Sequence, residues 1–434
     1  MLDEKTCRCR RIGRAFTLTI NNYICYKLSS YLEIVMLSDI ASIHSGTRYR
    51  VKDWEKARIY QEICVKPGSS RKSISEKFEM RPTTVSFAVQ ELIHDRLVRE
   101  GRIRTTGRPG RPELTLLPNL NRCLVISIYV QSRQLRGVLV NMGDQVLAEQ
   151  TRLIEEQTEN AAFLDTCLSI VEHLSTGIPA GSELLGVGLS LVGTVNPRTK
   201  LLSFAARWPR IRALNFHELE QRAKLPVALN RIHESELQYI IEKNKAYKSY
   251  NIVLFHWGFG IGISYSYMGQ ILISSTGEFG EIGHTIIDPG SQKRCQCGRF
   301  GCLETEAALW ALLPEIRESN PDLKEHEEEY FELLQQPEVA QLPALSRALR
   351  FVTLGVVNVH RLLSPDRILF VGPFTENAEI FRRLKEGFED SLFESERGHV
   401  RLEIVRGGFS GCSFGSSYPF FRARLKELLV TRYH

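Results

Sequence analysis

After Pro118 the sequence runs twice through the same order of elements, and that duplication restricts the fold more than any single motif. The first round reads as strands in "CLVISIYV" and "LRGVLVNMGDQVLAEQ", with a tight turn near Gly143 and Asp144, then a helix over about 160–175. A buried strand in "LLGVGLSLVG", another in "LPVALN" and a helix in "ESELQYIIEKNKAY" complete it. The second round opens with strands in "YNIVLFHWG", "GIGISYSY" and "QILISS", has helices over much of 305–363, and ends on strands in "RILFVGP" and "RLEIVRGG". Strands first and helices after, twice over, predict an α/β region of two lobes, about 119–245 and 246–434. The cleft between such lobes is where ligands bind.

The segment before Pro118 has a different texture. "WEKARIYQEICV" places Ala57, Ile59, Tyr60 and Ile63 near one helical face, and "KPGSS" ends it. "SRKSISEKFEM" is a short helix with Ile74 and Phe78 four apart. "RPTTVSFAVQELIHDRLV" is a third helix, with Pro82 suited to its first turn and Val85, Val89, Leu92 and Ile93 on one face. A hairpin rich in Gly, Arg and Pro, "REGRIRTTGRPGRPELTLLP", follows. Three helices and a wing predict a winged helix-turn-helix of α+β class over 51–118. Residues 1–50 show no clear period and are expected to hold little stable fold, either as an extension upstream of an alternative start at Met36 or as a functional arm.

Charge separates the two regions. Residues 1–118 carry 22 Lys and Arg against 13 Asp and Glu, while 119–434 carry 34 against 37. A basic front on a near-neutral body points to a polyanion as partner for the front. On the third helix, Arg81, Thr83, Thr84, Ser86 and Gln90 are the residues expected to reach phosphates and base edges of double-stranded operator DNA. Arg102, Arg104, Arg108 and Arg111 on the wing suit phosphate contact or a narrow minor groove. The bland alternative is that these arginines form a solvated face. No run approaches the roughly 18 apolar residues of a membrane span, and the N-terminus lacks the layout of a signal peptide, so the expected compartment is the cytoplasm.

Ten cysteines are present, but only Cys295, Cys297 and Cys302 cluster, with His284 upstream. Three thiolates and one imidazole form a closed tetrahedral shell for zinc, and the glycines at 290, 298 and 301 let the loop 284–302 fold back on the ion. With no open coordination position the zinc is expected to be structural. The alternative is three reduced cysteines on a surface loop. Glu281 and Glu304 flank the cluster; two carboxylates beside an imidazole could receive the vicinal hydroxyls of a sugar, or could be solvated surface residues.

"GEFGEIGHTII" and "CQCGRFGCLE" resemble the zinc and sugar motif of the ROK family, named for repressors, open reading frames and kinases. "GVGLSLVGTV" and "LPVALNRIHESEL" are similar to its sugar-site segments, and the "GRP" element at Gly107 to Pro109 is similar to the wing end of its repressor branch. The resemblance covers roughly residues 54–420. It implies a two-lobed, actin-like and ribonuclease H-like sugar-kinase fold in which Asn230, Glu281, His284 and Glu304 contact the sugar and Gly193 lines the pocket. His284 would then serve both sugar and zinc.

The chain departs from the kinase branch at several places. Where kinases carry D-x-G-G-T this chain has "YVQSR", with Tyr129 for the Asp and Arg133 for the Thr. The catalytic Asp after the Asn is Arg231, and a guanidinium stays charged and cannot take a hydroxyl proton. Phe259 replaces a usual Thr, and Pro373 a second Gly. The expectation is therefore a non-enzyme: a sugar-responsive transcriptional regulator, a repressor, working as a homodimer or homotetramer. The competing expectations are a sugar kinase fused to a DNA-binding domain, and a module that receives a protein partner. Arg231 leaves two readings open: it pairs with an anionic effector such as a sugar phosphate, or it bridges Glu281 or Glu304 and closes the pocket.

Overall fold

The computed structural model describes residues 51–104, 113–274, 276–319, 327–406 and 411–430. The expectations for residues 1–50, for Arg108 and Arg111 and for the "GRP" element fall outside the described residues. The chain divides into two compact units: the residues up to Asn119 together with those from Leu428 on, and Leu120–Glu427. No described helix is long and apolar enough to cross a membrane.

The smaller unit has the order expected of a winged helix-turn-helix. Helix α1 (Val51–Val65) buries Ala57, Ile59, Tyr60 and Ile63. After the two-residue strand β1 (Ser69–Ser70) comes α2 (Arg71–Phe78), started by a reciprocal cap. Ser73 N–H donates to Ser70 Oγ at 3.1 Å, and Ser70 N–H donates to Ser73 Oγ at 2.9 Å. A three-residue turn through the left-handed Glu79 leads to α3 (Pro82–His94), whose proline sits in the first turn where no N–H is needed. Strands β2 (Val98–Arg104) and β3 (Glu113–Pro118) pair antiparallel in a sheet ordered β1-β3-β2. The buried Lys56 fixes the end of α3: its Nζ donates to Asp95 Oδ2 at 2.9 Å and to the Leu428 carbonyl at 3.1 Å.

The larger unit contains the duplication. Its first sheet comprises β4 (Cys123–Gln131), β5 (Gln134–Asn141), β6 (Val146–Leu153), β7 (Glu183–Leu191) and β11 (Val227–Arg231), ordered β11-β7-β4-β5-β6. Strands β4, β5 and β6 are antiparallel neighbours, whereas β7 runs parallel to β4 and β11 parallel to β7. The second sheet comprises β12 (Ile252–Trp257), β13 (Ile261–Tyr267), β14 (Gln270–Ile271), β15 (Arg367–Val371) and β16 (Arg401–Ile404), ordered β14-β13-β12-β15-β16. Its first pairs are again antiparallel and its last two parallel. Each lobe thus has the sheet order third, second, first, fourth, fifth.

Each sheet has its own apolar core. In the first lobe α4 (Asn160–Ser175) buries Phe163, Leu164, Cys167, Ile170 and Leu174 against β4, β5 and β7. In the second, the long α10 (Pro343–Leu363) buries Leu345, Leu349, Val352 and Val356 beside α12 (Ala378–Asp390). Helix α6 (Ile232–Lys243) follows β11 directly and buries Leu237 and Ile241 with β12 and β15 residues.

Three features differ from the sequence expectation. A small antiparallel sheet of β8 (Thr194–Asn196), β9 (Leu201–Phe204) and β10 (Arg212–Asn215) stands between β7 and β11. The strand in "QILISS" is reduced to two residues. The C-terminal helices α13 (Cys412–Gly415) and α14 (Tyr418–Leu429) return to the first lobe. Ser416 Oγ lies 2.6 Å from Ser127 Oγ on β4, and Tyr418 Oη donates to Asp144 Oδ2 at 3.0 Å. Phe420 of α14 lies against Gly186 on β7.

Candidate binding cleft and metal loop

The metal loop follows β13 in the second lobe. A short helical turn over Ile282–His284 presents His284, and the backbone of Ile286 bridges to Cys302 in antiparallel fashion. His284 Nδ1 lies 3.4 Å from Cys295 Sγ, and Cys297 Sγ lies 3.7 Å from Cys302 Sγ. All four donor atoms lie within 4.8 Å of one another. A tetrahedron with metal–sulfur bonds of about 2.3 Å has an S···S edge of about 3.8 Å, so the donors stand where a four-coordinate ion would hold them. A disulfide would need about 2.05 Å, and all three cysteines are free. Burial pushes the Cys302 thiol up to about 11 and raises Cys295 further, a state that a divalent cation relieves. The residues expected for the metal are thus brought together and could hold one.

The two carboxylates sit against this loop. Glu304 opens the short helix α7 (Leu303–Ala307) and is buried; its Oε1 accepts from Ile261 N–H at 3.0 Å and its Oε2 from Trp310 Nε1 at 3.4 Å. Burial raises its pKa, opposed by His284. Glu281 is half-buried, with Oε2 at 3.7 Å from His284 Nε2. His284 therefore turns Nδ1 to the thiols and Nε2 to the carboxylate. Gly280 before it has φ 88°, and a Cβ there would stand 2.1 Å from the Ile263 carbonyl, so a close backbone approach fixes where Glu281 begins. Behind the loop, the buried Glu306 accepts from Ser291 Oγ at 2.7 Å and from Lys293 Nζ at 2.9 Å.

The first lobe contributes the end of β11. Asn230 is half-buried at the carboxyl end of that strand, opposite Ser190 of β7. Arg231 is 5% exposed. Its Nη2 lies 2.8 Å from Glu281 Oε1, and its Nη1 donates to the Phe279 carbonyl. Its backbone N–H donates to Glu234 Oε2 at 3.1 Å, and Glu234, raised by burial, is held down by the guanidinium. Of the two readings left open by the sequence, the geometry favours the bridge: the guanidinium is not a free cation awaiting an anionic effector. Gly193, with φ 102°, forms the junction of β7 and β8; a Cβ there would stand 2.2 Å from the Phe204 carbonyl.

The positions that depart from the kinase pattern are filled from within. Tyr129 is buried in β4, and Arg133 pairs with Glu156 at 3.1 Å. Phe259 lies under the Arg207 guanidinium, 4.5 Å from ring centre to carbon. Pro373 begins the short helix α11 (Pro373–Glu376). Sequence reasoning did not anticipate Arg207, nor the buried pair His233 and His256, whose rings stack at 4.7 Å.

In the smaller unit Arg81, Thr83, Ser86 and Gln90 are exposed on α3 and Thr84 is half-exposed; Arg102 is exposed on β2, which also carries Arg104. Phe87 is 60% exposed among these polar residues, with Lys52 Nζ at 5.5 Å from its ring centre. Sequence reasoning passed it over, although an apolar residue at a position off the buried stripe was the available signal.

The ROK family model matches residues 125–411. The chain belongs to the ROK family. It is 24% identical over 332 residues to the xylose repressor of Bacillus spizizenii, covering 75% of this chain and 84% of that protein. It is 27% identical over 268 residues to the DNA-binding transcriptional dual regulator NagC of Escherichia coli, covering 60% of this chain and 64% of that one. The crystal structure of a ROK family transcriptional regulator, a homologue of the Escherichia coli Mlc protein, superposes with TM-score 0.67 at 20% identity, covering 87% of this chain and 99% of that one. The mixed α/β fold of ROK proteins is thus present in the larger unit.

Proposed function

We propose that this ROK protein is a sugar-responsive, DNA-binding transcriptional repressor whose cleft binds a sugar without phosphorylating it. The observation that carries the reading is Arg231: where a kinase needs a base for the sugar hydroxyl, this chain has a buried guanidinium paired with Glu281. It cannot accept a proton. The exposed polar face of α3 and the basic wing supply the DNA-binding half, and the repressors among its relatives support the assignment.

In this reading α3 enters the major groove with Arg81, Thr83, Thr84, Ser86 and Gln90, while Arg102, Arg104, Arg108 and Arg111 serve the wing. Two copies in a homodimer, or four in a homotetramer, would place paired recognition helices one helical turn apart. Zinc on His284, Cys295, Cys297 and Cys302 is structural: it orients the imidazole, and with it Glu281 and Glu304, toward a sugar that Asn230 and Gly193 also line. The effector acts by favouring one arrangement of the DNA-binding units.

Gel-shift titration of the full chain against its own promoter region, at physiological salt, tests the central claim. Specific binding is expected to be at least about 1,000-fold tighter than to random DNA of equal length. Equal affinity for both sinks it. The kinase alternative is decided by a coupled ADP-release assay across a hexose panel, for which no turnover is expected.

A further inference from the structure

Resting on the sugar reading above, we infer that Arg231 is an internal competitor for the sugar-binding carboxylate: it holds Oε1 of Glu281, a ligand must displace the guanidinium to use that oxygen, and only an uncharged, hydroxyl-rich ligand is suited to do so. Two facts about the donors lead here. A sugar offers O–H donors and needs carboxylate lone pairs to receive them. Both oxygens of Glu304 already accept, from Ile261 N–H and Trp310 Nε1, and Oε1 of Glu281 is held at 2.8 Å by the guanidinium. Of the two acids, Glu281 is the one whose release would open a new receptor.

The pair also joins the lobes. Arg231 ends β11 of the first lobe, while Glu281 and the Phe279 carbonyl belong to the segment after β13 of the second. A second cation crosses the same cleft nearby in sequence: Arg207, between β9 and β10, stacks on Phe259 in the turn between β12 and β13. Releasing Glu281 therefore loosens a clasp between the lobes, which makes ligand binding and lobe movement one equilibrium.

The charge balance sets the ligand class. The guanidinium already faces Glu281 and Glu234, and Glu304 is near enough to Glu281 for the two carboxyl groups to repel. The charge of Arg231 is already met by Glu281 and Glu234, so it has none to spare for a phosphate or sugar acid. A neutral sugar meets no such repulsion.

The test compares the full-length protein with Arg231→Asn and Arg231→Lys by calorimetric titration with D-xylose, D-glucose, N-acetylglucosamine and glucose 6-phosphate, after thermal melts establish that each variant is folded. The expected result is neutral-sugar affinity about tenfold tighter in Arg231→Asn, the worth of one charge-assisted hydrogen bond. Arg231→Lys, which keeps the charge but loses the two-pronged grip, should fall between, and it decides the matter if the Asn variant does not fold. Unchanged or weaker neutral-sugar binding in the folded variants overturns the competitor. Preferential binding of glucose 6-phosphate to wild type, lost in the variants, overturns the neutral-ligand claim. If the folded variants and wild type all ignore every probe, the sugar reading itself fails and takes the inference with it.

Discussion

The two lobes have the same sheet order, so their first hairpins can be compared directly, and they have diverged in opposite directions. In the second lobe the turn between β12 and β13 is Gly258-Phe259-Gly260, and a Cβ at Gly260 would stand 2.9 Å from Glu304 Oε1. Backbone there is pressed against the candidate site. In the first lobe the turn between β4 and β5 is Ser132-Arg133; Arg133 reaches away to Glu156 and Ser132 is left with φ 53°. The first hairpin carries side chains where a phosphate cradle would need bare N–H groups. One lobe thus presses backbone against the candidate site and holds the metal loop, while the other turns side chains outward at its first hairpin. A duplicated fold can lose catalysis on one side and keep binding on the other, because each lobe is folded by its own core.

The largest test of that contrast is at the metal loop. Cys302→Ser should abolish one equivalent of zinc per chain and weaken sugar binding on the order of 100-fold, read by elemental analysis and calorimetry. Cys167→Ser, at a buried first-lobe thiol raised by burial to about 12, should leave the zinc content unchanged. Equal metal content in the two variants breaks the contrast. The next effect is mechanical: Gly280→Ala puts a Cβ 2.1 Å from the Ile263 carbonyl at a positive φ, and should cost about 3 kcal/mol in a denaturant titration. A cost under about 0.5 kcal/mol, the size of an ordinary surface substitution, would show that the approach to Glu281 is slack.

How much of this was legible beforehand depends on the range of the contact. The helix over 160–175 was visible because its apolar residues repeat with the helical period, and the metal set because its spacing is local. Strands β8, β9 and β10 were not, since three or four residues carry no period. Arg231 announced itself as the wrong residue for a kinase, but its partner was undecidable: Glu281 lies 50 positions away across the cleft. Phe259 was noted only as a replacement, and its stacking on Arg207 has no sequence signal at all. The return of α14 to the first sheet was missed for the same reason, because order along the chain does not say which sheet a helix packs on.

Between the lobes lies α6, and its carboxyls offer a comparison on one helix. Burial raises both Glu234 and Glu236, but Arg231 opposes the rise at Glu234, while Glu236 Oε2 has no hydrogen-bond partner among the described residues and is pushed up to about 8. The folded state therefore holds a proton that the unfolded chain releases above its ordinary value of 4.5. Glu236's contribution is full below that value and is lost as pH rises through 8. Thermal melts should show Glu236→Gln gaining several degrees over wild type at pH 9 and little at pH 5. A gain that does not grow with pH would place a compensating cation beside Glu236.

The smallest expected effect returns to the first hairpin. Ser132 and Arg133 form a two-residue loop joining Gln131 to Gln134, and Ser132 holds a left-handed φ of 53° that a side chain resists. Relieving that cost is worth about 1–2 kcal/mol, against an entropy penalty of roughly 0.5–1 kcal/mol for freeing the unfolded backbone. Ser132→Gly should therefore stabilise the protein by a few tenths to about 1 kcal/mol in a denaturant titration, the opposite sign to Gly280→Ala in the sister lobe. The substitution should also leave ADP release at background, because Tyr129 and Arg231 still stand in place of the acids. Turnover on restoring one glycine would mean that catalysis in this fold was lost at the first hairpin alone, and that Arg231 had not removed it.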